Sequence, residues 1–123
     1  MEEMKLFEAE YRLMDIIWET EPINSTELSR LCQQKLGWKK PTTYNMIRKL
    51  AERGILQNEK ATVRSLVRRE EILRAEGEEL VEKAGSLPAF LAAFLDGRKI
   101  TRTEAAELRR MIEEAEEDDG TVH

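Results

Sequence analysis

The sequence predicts a mainly α-helical chain with one small β-hairpin, arranged as an N-terminal unit over residues 1–69 and a C-terminal helical region over residues 70–123. Three features lead there. Apolar residues recur at three- and four-residue spacing in successive segments, each closed by a cap, a proline or a glycine. The stretch Leu56–Arg69 departs from that period and reads as two short strands. Charge is also divided: residues 24–69 hold eleven bases and three acids, a balance of +8, whereas residues 70–123 hold seven bases and fifteen acids, a balance of −8.

The first helix is expected over Glu8–Glu19, with Tyr11, Met14, Ile17 and Trp18 on one face, widened by Leu13 and Ile16. Glu21-Pro22 ends it, because the residue before a proline is driven out of the helical region. Ile23 is then a short extended residue. Asn24 is a good N-cap, with Glu27 three positions later as in a capping box. The second helix places Leu28, Leu31, Cys32 and Leu36 on one side and stops at Gly37. The third starts near Pro41, a residue suited to a first turn, turns Thr43, Met46, Ile47 and Leu50 inward and closes at Gly54. Ile55 and Leu56 return to the core. Strands are expected at Leu56–Lys60 and Val63–Arg68, joined around Ala61-Thr62, with no glycine to name the turn type.

The other side of the third helix carries Thr42, Tyr44, Asn45, Arg48 and Lys49, rich in hydrogen-bond donors and without an acid until Glu52. A solvated helix face ordinarily mixes signs. The hairpin adds Lys60, Arg64, Arg68 and Arg69. Three helices, the last with a one-signed outer face, followed by a basic hairpin, make a winged helix-turn-helix. The major groove of DNA admits one such helix, and cations on the hairpin can neutralise flanking phosphates and release counterions. The acidic remainder of the chain can avoid phosphate.

Beyond Arg69 a connecting helix is expected over Glu70–Ala84. Ser86 can cap a further helix with Pro88 in its first turn, presenting Leu87, Phe90, Leu91, Phe94 and Leu95. Thr101 to Glu104 is a capping box before Leu108, Met111 and Ile112, and Glu113–Gly120 is expected to fray into an acidic tail. These helices are too small to build a good core alone. A second copy of the chain, related by a two-fold axis, is the economical mate for them; folding back on the winged helix of the same chain is the other.

Composition narrows the chemistry. A chain of 123 residues fits one domain or a small domain with an appendage. With 37% charged and only 6% aromatic residues, several amphipathic helices are favoured over a sheet sandwich. Cys32 is the one cysteine and His123 the one histidine, so no internal disulfide, metal cluster, catalytic His pairing or cofactor is expected. Cys32, at core spacing, reads as a small buried side chain rather than a reactive thiol. There is no acid–base pair in an apolar pocket pattern and no GxxxxGK[ST] phosphate loop, so an enzyme is not expected. The opening MEEMKLF puts acids where a secretion leader wants bases, and the longest apolar run, Leu87–Leu95, falls well short of the roughly 20 residues that span a bilayer. The expected compartment is the cytoplasm.

Four stretches in order resemble the penicillinase-repressor family (BlaI/MecI/CopY). Leu6–Leu28 resembles its opening, with an acid-Ala-acid-aromatic start and a helix ending in Ile-Trp. Pro41–Leu56 resembles its recognition helix, Glu59–Val67 its wing and Ser86–Asp118 its dimerisation helices. The resemblance implies a cytoplasmic bacterial repressor that binds a dyad-symmetric operator as a homodimer and blocks transcription. Carried to matching positions, it makes Thr42, Tyr44, Asn45, Arg48 and Lys49 groove-facing and Lys60 and Arg64 wing contacts. Base readout then falls to Tyr44, Asn45 and Arg48, since Asn pairs with adenine and Arg with guanine. Lys39, Lys40 and Lys49 touch phosphate, as do Ser25 and Thr26 at the start of the second helix. The dimer would use Leu87, Phe90, Leu91, Phe94, Leu95, Leu108, Met111 and Ile112.

Two departures stand out. The wing lacks the glycine and the aromatics common in the family. Beta-lactam-responsive members are cut by a membrane sensor protease at an Asn-Phe bond, and the matching pair here is Ala93-Phe94: the phenylalanine stays, the asparagine does not. The C-terminal cysteine cluster of the copper-responsive branch is missing as well. A different class of function, a winged helix that docks a protein rather than DNA, would leave DNA affinity untouched by Arg48→Ala and Asn45→Ala.

Overall fold

The structure, a computed structural model, describes residues 4–117. The last residues expected in the acidic tail, and His123, lie outside them. In chain order the elements are α1 (Glu8–Thr20), β1 (Ile23–Asn24), α2 (Ser25–Leu36), α3 (Lys40–Glu52), β2 (Leu56–Glu59), β3 (Thr62–Ser65), α4 (Arg69–Ala84), α5 (Leu87–Leu95) and α6 (Arg102–Ala115). Contacts divide the chain into two units, Met1–Lys83 and Ala84–His123.

The first unit is a winged helix. Leu13, Met14, Ile16 and Ile17 of α1, Leu28 and Cys32 of α2, and Ile47 and Leu50 of α3 form one buried cluster with Ile55, Leu56 and Val63. Each helix contributes an apolar stripe that would be unstable in water on its own, and burying these stripes together removes that surface from solvent. Asn24 caps α2, its side-chain oxygen accepting from the amide of Thr26 at 2.8 Å. Gly37 ends α2 at φ +72°, a conformation that disfavours any side chain with a Cβ. That reversal aims α3 back across α2.

Three strands, in the order β1-β3-β2, form an antiparallel sheet. Ile23, expected only as an extended residue, is a true strand partner: it pairs with Val63, and Asn24 pairs with Thr62. The hairpin register sets Glu59 opposite Thr62, so its turn is Lys60-Ala61, one residue earlier than the spacing suggests. Both turn residues have positive φ, +52° and +65°, as a two-residue type I′ hairpin requires. The usual Asn-Gly signature is absent, which is why the sequence leaves the turn type open. β3 stops at Ser65, short of the expected Arg68. Pairing continues only as far as the amide of Leu66, which donates to Ile55 at 2.8 Å.

α4 belongs with the winged helix by contact. Its Ile72 is fully buried in the same core, although Leu73 and Leu80 remain exposed. The division of contacts therefore falls after Lys83 rather than at residue 69/70. The second unit holds α5, capped by Ser86 on the amide of Ala89 at 3.1 Å, and α6, capped by Thr101 on the amide of Glu104 at 3.0 Å. Among the described residues neither helix buries a side chain.

Candidate nucleic-acid interface

α3 sorts its residues by face. Thr43, Ile47 and Leu50 are buried, whereas Thr42, Asn45, Arg48 and Lys49 are exposed, with Tyr44 and Met46 half-buried between. Pro41 in the first turn needs no amide partner there, and Lys39 and Lys40 flank it in the open. The helix thus shows solvent a strip of donors and cations a few residues wide.

Three segments far apart in sequence meet beside this strip. The amide of Ser25, at the start of α2, donates to the carbonyl of Ala61 in the wing turn at 2.8 Å. The hydroxyls of Thr26 and Ser25 lie beside the Tyr44 phenol and favour its charged form. Their proximity holds its pKa below the ordinary tyrosine value; burial opposes them and the Lys40 charge assists. Thr26 is exposed beside Tyr44. Ser25 is only 6% exposed, with its amide bonded to the wing turn. It lies behind the surface, so it is not open to the phosphate contact expected of it from the sequence.

The eleven bases of residues 24–69 fall into two groups. Arg30 pairs with Glu27, Arg53 with Glu10, Arg69 with Asp15 and Arg68, at 4.0 Å, with Glu71. Lys35, Lys39, Lys40, Arg48, Lys49, Lys60 and Arg64 have no ion-pair partner among the described residues, and all seven are exposed. An unpaired, solvated cation can give up its counterion to a phosphate without first breaking a native pair. Lys60 stands at the wing turn and Arg64 on β3, opposite Gln57.

Buried and half-buried carboxylates, by contrast, tie distant segments of the site together. Glu10 is 5% exposed; it accepts from the amide of Phe7 at 2.9 Å and from Arg53 Nη1 at 3.0 Å. Arg53 also donates to the carbonyl of Lys5, tying the end of α3 to the start of α1. Glu21, past the end of α1, accepts from the Ser65 amide at 2.6 Å and hydroxyl at 2.8 Å, which anchors the wing. Sequence reading missed Glu10, Glu21 and Asp15, since nothing local ties each to a partner 43 to 54 positions away.

The family model for penicillinase repressors matches residues 6–114. This chain belongs to the penicillinase repressor family. It is accordingly a DNA-binding transcriptional repressor of the winged-helix kind. A protein of Latilactobacillus sakei, described as an uncharacterized 16.5 kDa protein in the ptsI 3' region, is 28% identical over 113 residues, covering 85% of this chain and 75% of the relative. No helix of this repressor is long and apolar enough to cross a membrane, among the described residues.

The residues expected at a dimer interface lie open in the second unit. Leu87, Phe94, Leu95, Leu108, Met111 and Ile112 are exposed, the last two at 58% and 60%, while Phe90 and Leu91 are half-buried. Phe90 stacks on Phe94 with ring centres 5.7 Å apart, and the Arg98 guanidinium sits 4.2 Å from the Phe94 ring centre. Ala93 and Phe94 are both exposed and sit inside α5.

Proposed function

We propose that this repressor binds a dyad-symmetric operator as a homodimer, with α3 in the major groove of each half-site and the wing on the flanking backbone. The sorting of its cations carries the reading. Of the seven bases in residues 24–69 without an ion-pair partner, six lie on or next to α3 and on the wing, the seventh being Lys35 at the end of α2, while the paired Arg53 and Arg69 tie distant segments together. Asn45 and Arg48, exposed one turn apart on α3, have the chemistry for adenine and guanine edges, with Tyr44 beside them, next to Thr26 and Ser25. Lys39, Lys40, Lys49 and Thr26 would touch phosphate, and Lys60 and Arg64 would follow the backbone from the wing. The apolar rows of α5 and α6 would be covered by the same rows of the second copy. Pairing two weak readers makes the second half-site an intramolecular event and raises affinity without a new contact.

The test is a gel shift on DNA from the gene's own promoter, read against salt, with unrelated duplex as competitor. Expected is a specific complex of two chains per duplex, weakening steeply with added salt. Binding indifferent to sequence, or absent at low salt, defeats the proposal.

A further inference from the structure

Arg69 is the last base of the positive segment, and its position at the end of the hairpin invites a phosphate contact. The structure turns it the other way. Its guanidinium lies 2.6 Å from a carboxylate oxygen of Asp15 and 4.8 Å from the ring centre of Trp18, both on α1. The Tyr11 phenol lies beside it and favours its charge, and the Tyr11 and Trp18 rings meet edge to face with centres 5.6 Å apart. Trp18 in turn donates its indole N–H to the carbonyl of Val67 at 3.0 Å. The two residues that lead into α4 are thus fastened to one spot on α1: Val67 through its backbone, and Arg69, the first residue of α4, through its side chain.

Little else fixes α4 at this end. Ile72 is its one buried residue, and a single apolar anchor permits rotation about itself. A planar guanidinium held by a carboxylate at its edge and an indole on its face permits much less.

We infer that Arg69 is a positioning residue: clamped by Asp15, Trp18 and Tyr11, it sets the direction of α4 relative to the recognition helix α3. α4 is the segment of chain between the DNA reader and the helices assigned above to dimerisation, so the clamp would govern which operator spacing the dimer accepts. That last step rests on the proposed function; the clamp itself does not.

Two arms of one experiment separate the claims. In the first, spin labels are attached at Lys35→Cys on α2 and Glu82→Cys on α4, with buried Cys32 left in place, and labelled chains are diluted with unlabelled protein so that only the distance within one chain is read. The unaltered clamp should give a narrow distribution. Arg69→Ala should widen it at least twofold, Asp15→Asn should widen it too, and Arg69→Lys, which keeps a cation toward Asp15 and Trp18, should restore most of the sharpness. If Arg69→Ala does not fold, the near-isosteric Asp15→Asn decides. Widths unchanged in the folded variants overturn the inference. In the second arm, duplexes selected by the unaltered protein are re-spaced by one and two base pairs between half-sites. The unaltered protein should prefer one spacing by at least tenfold, and Arg69→Ala should flatten that preference while keeping its affinity for a single half-site within about threefold. A preference kept intact by Arg69→Ala overturns the link to spacing. If the unaltered protein shows no spacing preference, the dimeric-operator reading fails, and the first arm still decides the clamp.

Discussion

Glu21 and Ser65 are joined by three hydrogen bonds: one Glu21 oxygen accepts from the Ser65 amide at 2.6 Å and hydroxyl at 2.8 Å, and the other accepts from the hydroxyl at 3.0 Å. This fixes the end of the wing's second strand to the end of α1. A half-buried carboxylate with such partners leaves a backbone amide unsatisfied when it is removed. Glu21→Ala should therefore cost about 2 kcal/mol, and amide exchange over Thr62–Ser65 should quicken more than exchange in α2. Urea unfolding gives the first number and exchange gives the second. An unchanged midpoint with unchanged wing protection would show the contact to be idle.

The wing turn holds a reserve of stability. Lys60 and Ala61 both adopt left-handed backbone, which an L-residue other than glycine takes at a cost of roughly 1 kcal/mol. Ala61 is exposed, and its carbonyl bond from Ser25 does not involve its side chain. Ala61→Gly should stabilise the fold by somewhat less than about 1 kcal/mol, because glycine also gives the unfolded chain more freedom. Thermal melts test it; a lower melting temperature would contradict the strain.

How far the sequence can be read follows from which forces are local. The three helices of the winged helix show in the spacing of Leu13, Ile17, Leu28, Cys32, Ile47 and Leu50, since helical period and burial report the same face. Asn24 and Gly37 mark their boundaries by chemistry confined to one turn. The turn at Lys60-Ala61 is not legible, because its conformation is imposed by strand register and not by its own residues. Nor can charge alone tell Arg64 from Arg69. Both are bases in a positive segment, but one faces solvent on β3 and the other meets Asp15, 54 positions earlier in the chain. Direction is a tertiary property, and so the positive strip was legible as a segment but not residue by residue.

Cys32 and Thr43 share the buried contact between α2 and α3. Burial pushes the Cys32 thiol pKa up, with the neighbouring Thr43 pulling the other way. The Thr43 hydroxyl has no hydrogen-bond partner among the described residues. Thr43→Val, close in shape, should then be neutral or stabilise by up to about 1 kcal/mol, whereas a hidden hydrogen bond would make it destabilising. The thiol adds a pH effect. Below about pH 8.5 both folded and unfolded chains keep the proton. Above that the unfolded chain releases it first, so this group's contribution to stability falls as pH rises toward the higher folded value. Cys32→Ala should be less stable near neutral pH for its lost packing, yet lose less stability than the parent between neutral pH and pH 10. Equal losses in both proteins would remove the thiol as the cause.

Arg48 and Lys49 are neighbours on the exposed face of α3 and neither is in an ion pair among the described residues, but they should fail differently. If Arg48 reads a guanine edge, Arg48→Ala costs about 1–3 kcal/mol on the selected operator and relaxes preference at one position. If Lys49 meets phosphate, Lys49→Ala weakens all sequences alike and lowers the salt dependence by about one counterion. Competition gel shifts across single-base variants, repeated over a salt series, separate the two. Uniform weakening by both variants would strip Arg48 of its reading role.

The second unit offers the sharpest test of assembly. Phe94 is 50% exposed in the single chain and lies with Leu87, Phe90, Leu91 and Leu95 on a helix that buries no residue of its own. Apolar surface on this scale, left in water, favours association, and a carboxylate placed in its middle would be desolvated without a partner. Phe94→Asp should shift the protein to monomer in sedimentation and lower operator affinity at least tenfold, while the melting of the winged helix, whose core contains no residue of α5, should hardly change. Single half-site binding should also survive, because α3 and the wing are untouched. If Phe94→Asp keeps the mass and operator affinity of the parent, the two-fold contact lies elsewhere and α5 loses the role proposed for it.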